Sequence, residues 1–149
     1  MARYGAVVKS ITASTTDDNI ALTAGASKSG KILEVHWGGE ATTSTAMCTR
    51  VARSSGQTGT TTSVTAAKFH PNAPANGLVF ASTFATTQPT LDSADLFAES
   101  WNAHGGVVRW LAAPGEEMVL LGATTEICIS CRNSVGTATS TYGMVTEED

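Results

Sequence analysis

Short runs of β-forming residues, interrupted at close intervals by Gly, Ser, Asn and Pro, constrain the fold of this chain more than any other feature. The runs cover residues 4–13, 19–23, 31–37, 46–52, 60–69, 77–84, 106–112, 117–121, 126–132 and 139–146. Many short strands separated by turn residues are typical of sandwiches and barrels. We therefore predict an all-β protein with a two-sheet antiparallel sandwich. We expect residues 1–149 to form a single β-sandwich domain, since a chain of this length buries enough surface to fold without disulfide bonds or metal ions.

One segment, residues 91–105, has a different pattern. Its large apolar side chains recur at helical spacing: Leu96, Phe97 and Trp101. Asp92 or Ser93 would cap the start of a helix, and Gly105 stands where a left-handed residue commonly ends one. We predict one short helix near residues 93–103 that closes one end of the sandwich.

The composition indicates an unusually neutral surface. Charged residues make up 15% of the chain and hydrophobic residues 42%, whereas ordinary globular proteins carry about 25% charged residues. Small neutral side chains lose little rotamer entropy when they are immobilised, so such a surface suits extensive contact with other proteins. The alternative is a β-rich domain with a plain polar exterior.

The charge pattern argues against nucleic acid and membrane partners. The net charge is -4, and the cationic residues Arg50, Arg53 and Lys68 are scattered, whereas nucleic-acid binding needs clustered Lys and Arg. The opening residues lack the long apolar segment of a signal peptide, and no apolar run reaches membrane-spanning length. We expect the chain to be made in the cytoplasm of its producer and to leave it only inside a larger particle.

Residues 25–31 match the spacing of a phosphate-binding loop but depart from its chemistry. Ile32 stands where that motif needs Ser or Thr to hold magnesium. The residues that follow, up to Trp37, favour a strand, whereas the motif needs a helix whose amide groups face the phosphates. We predict a Gly/Ser loop here and no nucleotide cofactor.

The three cysteines, Cys48, Cys128 and Cys131, are predicted to be structural. An odd number without a signal peptide argues against a disulfide framework. Cys128 and Cys131 have the spacing of a redox pair, but in a strand residues three apart point to opposite faces. A zinc site that adds Cys48 and a histidine stays open as an alternative.

No arrangement of residues in the sequence indicates an active site. The histidines are far apart: His36, His70 and His104. A metal enzyme of the cupin type would place two histidines one residue apart on a strand. The paired acids at residues 17–18 and 147–148 are local charge clusters, and there is no nucleophile elbow. The sequence predicts that the chain is not an enzyme and has no catalytic, cofactor-binding or metal-binding residues.

Three tryptophans support an alternative function. Trp37, Trp101 and Trp110 could line a sugar-binding surface. The chain would then be a carbohydrate-binding, lectin-like module. Large aromatic residues at such positions belong more often to a core, and burial of the rings would remove the platform.

The C-terminal third carries a resemblance to a known class of proteins. Residues 105–117, residues 130–137 and the acidic tail at residues 147–149, together with the composition rich in Thr, Ala, Gly and Ser, resemble the small jelly-roll cement, or decoration, proteins of tailed bacteriophage capsids. The resemblance implies a jelly-roll fold and a structural virion protein. It also implies a homotrimer on the outside of the capsid that holds neighbouring subunits of the major capsid protein together. No functional residue is transferred by this resemblance. With it, the lectin-like alternative would be a module of a phage fibre or head appendage.

Two loops and one strand are expected to contact such partners. The loops at residues 54–62 and 71–76 are rich in small neutral residues, which can approach another surface without desolvating charge. The strand run adds large apolar side chains: Leu78, Val79, Phe80 and Phe84. We expect part of this apolar surface to face another subunit.

Overall fold

The computed structural model contains two antiparallel sheets that pack face to face. It describes residues 1–12, 18–25, 28–56, 61–84, 87–122, 125–132 and 136–148. The strands are β1 (Ala2–Thr12), β2 (Asp18–Ala24), β3 (Ser29–Gly39), β4 (Ala46–Ser55), β5 (Thr62–Val64), β6 (Ala67–Lys68), β7 (Leu78–Ser82), β8 (Thr90–Asn102), β9 (Val107–Leu111), β10 (Met118–Leu121), β11 (Glu126–Ser130) and β12 (Thr139–Glu148). The predicted all-β sandwich is confirmed.

Each sheet has six strands. In sheet A the order is β10-β3-β12-β1-β6. β9 pairs with the same edge of β3 as β10 does, but farther along the strand. In sheet B the order is β5-β7-β2-β11-β4-β8. The first and last strands pair with each other along most of their length, from Ala2 opposite Glu148 to Thr12 opposite Thr139. This pairing places both strands inside sheet A.

The core lies between the sheets and consists of the side chains that point inward from each strand. Its largest fully buried members include Tyr4, Ile20, Leu22, Ile32, Trp37, Met47, Leu120, Ile127, Ile129, Tyr142 and Met144. Burial of a side chain of this size stabilises the fold by about 1.5–3 kcal/mol. These residues come from both sheets, so the core is what holds the two layers together.

The outer face of sheet B is partly covered by the connection from β7 to β8. From this segment, Phe84 packs on Ala21, Ala81 and Cys128, and Leu91 joins the same cluster. We call residues 83–84 and 87–89 the strap. The strap explains why β2 and β11 are buried on both faces, since one face meets the core and the other meets the strap.

The predicted helix near residues 93–103 is wrong, because this segment forms the long strand β8. It pairs with β4 from Ala46 opposite Asn102 to Ser55 opposite Thr90. The backbone hydrogen bonds offered by β4 override the local helical pattern. Gly105 does adopt a positive φ of 78°, but it sits in the turn between β8 and β9. The described residues contain no helix, and so none that could span a membrane.

The edges of both sheets are short or interrupted. The edge strands β5 and β6 have three and two residues. The long edge strand β8 breaks register with β4 twice and carries Asp92, Asp95 and Glu99. β1 pairs with β6 only over two residues. Farther along β1, its register with β12 shifts around Ser10, whose φ is 54°. Bulges, charges and short lengths all oppose the addition of another strand.

The third long edge, along β3, is interrupted as well. β9 and β10 pair with successive parts of β3, and residues 112–117 leave the sheet between them. That excursion contains Pro114 and a turn at Gly115, whose φ is 89°. A second chain therefore meets no long, regular strand edge among the described residues.

Gly39 allows a close approach of the β8–β9 turn, which gives a test of this fold. A Cβ atom at Gly39 would overlap the backbone of Ala103, whereas one at Gly38 would meet nothing closer than 3.8 Å. We expect Gly39→Ala to lower the free energy of unfolding by at least about 2 kcal/mol, because overpacking forces backbone shifts. Gly38→Ala, the matched control, is expected to change it by less than about 1 kcal/mol. Urea denaturation measures both, and equal effects would contradict this packing.

Candidate functional site

Residues 25–31 form no phosphate-binding loop in the described part of the chain. β3 begins at Ser29, so a strand follows the glycine-rich segment, as predicted. Lys28 points to Glu148, with its Nζ 3.3 Å from the carboxylate oxygen Oε1. Residues 26–27 lie outside the described residues. Lys31, the lysine of the motif, lies within β3, so it has no helix N-terminus beside it.

The cysteines are free thiols. Cys128 points from β11 into the cluster under the strap, whereas Cys131 points into the core between the sheets. The prediction that these two face opposite sides is confirmed. Both are buried, and Cys48 is half-buried. Burial, reinforced by the charges of Asp18 and Glu126, raises the pKa of Cys128 well above its ordinary value.

Cys131 lies at the centre of a buried hydrogen-bond cluster. The Asn19 amide donates to its sulfur at 3.1 Å, and the Thr49 and Tyr142 hydroxyls lie 3.1 and 3.2 Å from it. The indole of Trp101 donates to the Thr49 hydroxyl at 3.0 Å. These groups satisfy one another inside the core and are closed to solvent, so the arrangement is structural.

The histidines are separated by the fold. His36 lies on β3 with its Nδ1 3.2 Å from Glu34, and the Nδ1 of His104 is 2.9 Å from the carbonyl oxygen of Ala41. His70 lies in the loop after β6. Within the described ranges, no three His, Cys, Asp or Glu side chains come together in a way that could hold a metal ion.

The tryptophans do not form an exposed platform. Trp37 is 1% exposed and Trp101 is 9% exposed. Trp110 is half-buried and packs against the core. The ring of Phe97 lies 5.7 Å from that of Trp37. The hypothesis that these three rings stack on a sugar is therefore wrong, because they serve the core.

One surface that the sequence did not reveal is an open groove of about 660 Å³ at the end of sheet A where β1 begins. It is lined by Met1, Ala2, Arg3, Tyr4, Lys28, Phe69, His70, Asn72, Ala73, Pro74, Glu147 and Glu148. We call it the Phe69 groove. It joins the start of β1, the end of β12 and the proline-containing loop at residues 71–76.

Four long-range hydrogen bonds hold the loop that forms one wall of the groove. Phe69 N donates to the Arg3 carbonyl at 3.1 Å, and the Tyr4 hydroxyl donates to the Pro74 carbonyl at 3.1 Å. Gly77 N donates to the Glu148 carboxylate at 2.8 Å, and Gly25 N donates to the Gly77 carbonyl at 3.1 Å. These hydrogen bonds fix the loop against β1, β12 and the residue that follows β2.

The charges that line the groove are paired. Arg3 meets Glu147 at 3.0 Å, and Lys28 meets Glu148 at 3.3 Å. Burial and the nearby Glu148 carboxylate raise the pKa of the Tyr4 phenol, which therefore stays protonated as a hydrogen-bond donor. The groove carries no net charge from these pairs.

A second surface is the outer face of sheet A, which we call the open face. Cross-strand registers place Val7, Gly143, His36 and Arg109 in one row and Val145, Glu34 and Leu111 in the next. Val107 is 77% exposed, and Leu111 and Val7 are also exposed. The ring of Phe69 rests against one end of this face, at Gly5, which is paired with Val145.

The charges of the open face are also paired. Arg109 donates two hydrogen bonds of 2.8 Å to the two carboxylate oxygens of Glu34. These hydrogen bonds hold the pKa of Glu34 below its ordinary value. The face therefore presents aliphatic side chains beside a closed ion pair.

Comparisons with known proteins identify no relative of this chain. No family model matches the chain, and no curated protein or solved structure matches it.

The burial of the cysteines predicts their reactivity. The thiolate is the form of a cysteine that attacks a disulfide reagent, and burial keeps Cys128 protonated and shielded. We expect Ellman's reagent to modify at most one thiol per native chain, at Cys48, and all three after denaturation. Cys48→Ser should then leave no rapid reaction. Rapid modification of two or three native thiols would show that the strap or the core is open.

Proposed function

We propose that this chain is a structural virion protein, a capsid cement or decoration protein that binds the outside of the major capsid protein lattice. The observation that carries the proposal is the open face, where exposed Val107 and Leu111 surround the closed Glu34–Arg109 pair. Exposed apolar side chains that are grouped on one sheet face are a feature of protein-binding surfaces. The resemblance to phage cement proteins supports the same function.

The edges of the sandwich favour contact through a face. β8 and β1 are broken by register shifts, and β9 and β10 are separated by residues 112–117. These edges oppose strand addition. The partner would therefore contact side chains of the open face, and few free charges would need to be desolvated.

One expectation about the contact surface is corrected by the fold. Leu78 and Phe80 are buried in the core, Phe84 is buried where the strap meets sheet B, and only Val79 of that group is exposed, at 52%. The apolar character of residues 78–84 is therefore explained by the core. The loop at residues 71–76 lines the Phe69 groove, and residues 57–60 of the other loop lie outside the described residues.

The effect on the shell would be thermodynamic. A protein that binds only the assembled lattice stabilises it by mass action. Copies on a symmetric lattice multiply a modest free energy per contact, and a homotrimer adds multivalency. The homotrimer, the jelly-roll topology and the location on the capsid surface are parts of this proposal, as is synthesis in the host cytoplasm.

The first test is the stability of the particle. We expect shells that carry the protein to open at a higher temperature than shells that lack it, and we expect a solution mass of three times 15.3 kDa. Differential scanning calorimetry measures the opening temperature of the two kinds of shell. Light scattering measures the solution mass of the protein. Equal opening temperatures would remove the cement role, and a monomer would remove the trimer.

The second test asks which face is used. Val107→Glu introduces a charge on the open face, and a buried, unpaired charge is costly. We expect it to weaken binding to shells at least tenfold in a co-sedimentation titration. Val79→Glu is the matched control on the outer face of sheet B and should bind normally. The opposite order of the two variants would assign the contact to sheet B.

A further inference from the structure

The Phe69 groove contains an aromatic ring held in a fixed, exposed position. Phe69 is 62% exposed, although its backbone is anchored to Arg3. One edge of the ring rests on Gly5, where an added Cβ would stand 3.2 Å from the ring. Exposure of a large ring that is held by its neighbours costs hydrophobic free energy, which a ligand stacked on the ring would recover.

Polar side chains surround the ring. His70 accepts a hydrogen bond at its Nδ1 from Asn72 N at 3.2 Å, which leaves Nε2 as a donor. The Asn72 side chain lines the groove, and its amide offers both a donor and an acceptor. Arg3 uses its Nε for Glu147, and its terminal nitrogens remain as donors at the groove. An aromatic face beside such groups matches the alternating apolar faces and hydroxyl groups of a sugar ring.

A peptide strand fits the groove less well. The backbone groups of the wall are already used inside the protein: Lys68 donates to the Ala73 carbonyl at 2.7 Å, Tyr4 donates to the Pro74 carbonyl, and Ala73 N donates to the His70 carbonyl. An extended peptide gains affinity mainly from free backbone groups along an edge. The groups that remain here belong to side chains, which favours a ligand recognised through its hydroxyl groups.

The charge and size of the groove limit the class of ligand that it can bind. The ion pairs Arg3–Glu147 and Lys28–Glu148 cancel, so these four side chains give no net positive charge that would favour an acidic sugar. Its volume of about 660 Å³ lies within the ~300–1,000 Å³ of small-molecule sites. We infer that the Phe69 groove binds an uncharged oligosaccharide, with Phe69 as the stacking platform and His70, Asn72 and Arg3 as hydroxyl-binding residues. This inference does not depend on the capsid role.

The test uses the full chain and a glycan array of neutral and acidic oligosaccharides. We expect binding to one or more neutral glycans, followed by calorimetric titration of the strongest. Phe69→Ala should weaken that binding at least tenfold, and Asn72→Ala should weaken it severalfold. Leu96→Ala, an exposed apolar residue on β8, is the control and should bind as the unaltered protein does. Circular dichroism and thermal melting check that each variant is folded.

Three results would overturn the inference. In the first, the unaltered protein binds no neutral glycan. In the second, Phe69→Ala and Leu96→Ala bind the glycan with equal affinity. In the third, the protein binds only acidic glycans, and salt abolishes that binding. The capsid role is tested separately with Val107→Glu, which lies outside the groove and should bind the glycan as the unaltered protein does while it loses shell binding. Loss of shell binding in Phe69→Ala with no glycan bound would assign the groove to the capsid protein.

Discussion

The unpaired edges of the two sheets limit how this sandwich can interact with another chain. An open sheet edge presents unused N–H and C=O groups, which recruit further strands. Here β5 and β6 are too short to act as templates, and β8 breaks its register around Ala52 while carrying carboxylates. What is left for partners is the side-chain surface of the faces and the groove at one end of sheet A.

The two faces differ because of one connection. The strap packs Phe84 over Ala21 and Cys128, so part of the outer face of sheet B is covered by the chain's own residues. Sheet A has both chain termini in adjacent strands and keeps Val7, Val107 and Leu111 exposed. The same pairing of β1 and β12 brings Arg3 beside Glu147 and forms the floor of the groove. Topology therefore separates the structural face from the face that is open to partners.

Much of the fold could be predicted from the sequence, because turn residues and short β-forming runs are local signals. Every predicted run contains a strand, and the strand expected after residues 25–31 is present. The helix at residues 93–103 was wrong because local spacing cannot show that β4 supplies backbone partners to β8. The groove could not be predicted, since it depends on contacts such as Tyr4 with Pro74 and Gly77 with Glu148, which are distant in sequence. The exposed Phe69 gave no signal either, because an aromatic residue in a strand-like run usually belongs to the core.

The most direct test of the central claim, that the open face contacts the shell, is hydroxyl-radical footprinting of the protein in solution and on particles. The oxidation of exposed side chains reports which of them become covered. The account predicts that Val107 and Leu111 lose reactivity on the particle, while Val79 and Leu96 on sheet B keep theirs. Unchanged reactivity of Val107 and Leu111 on saturated particles, or protection of Val79 in their place, would contradict it.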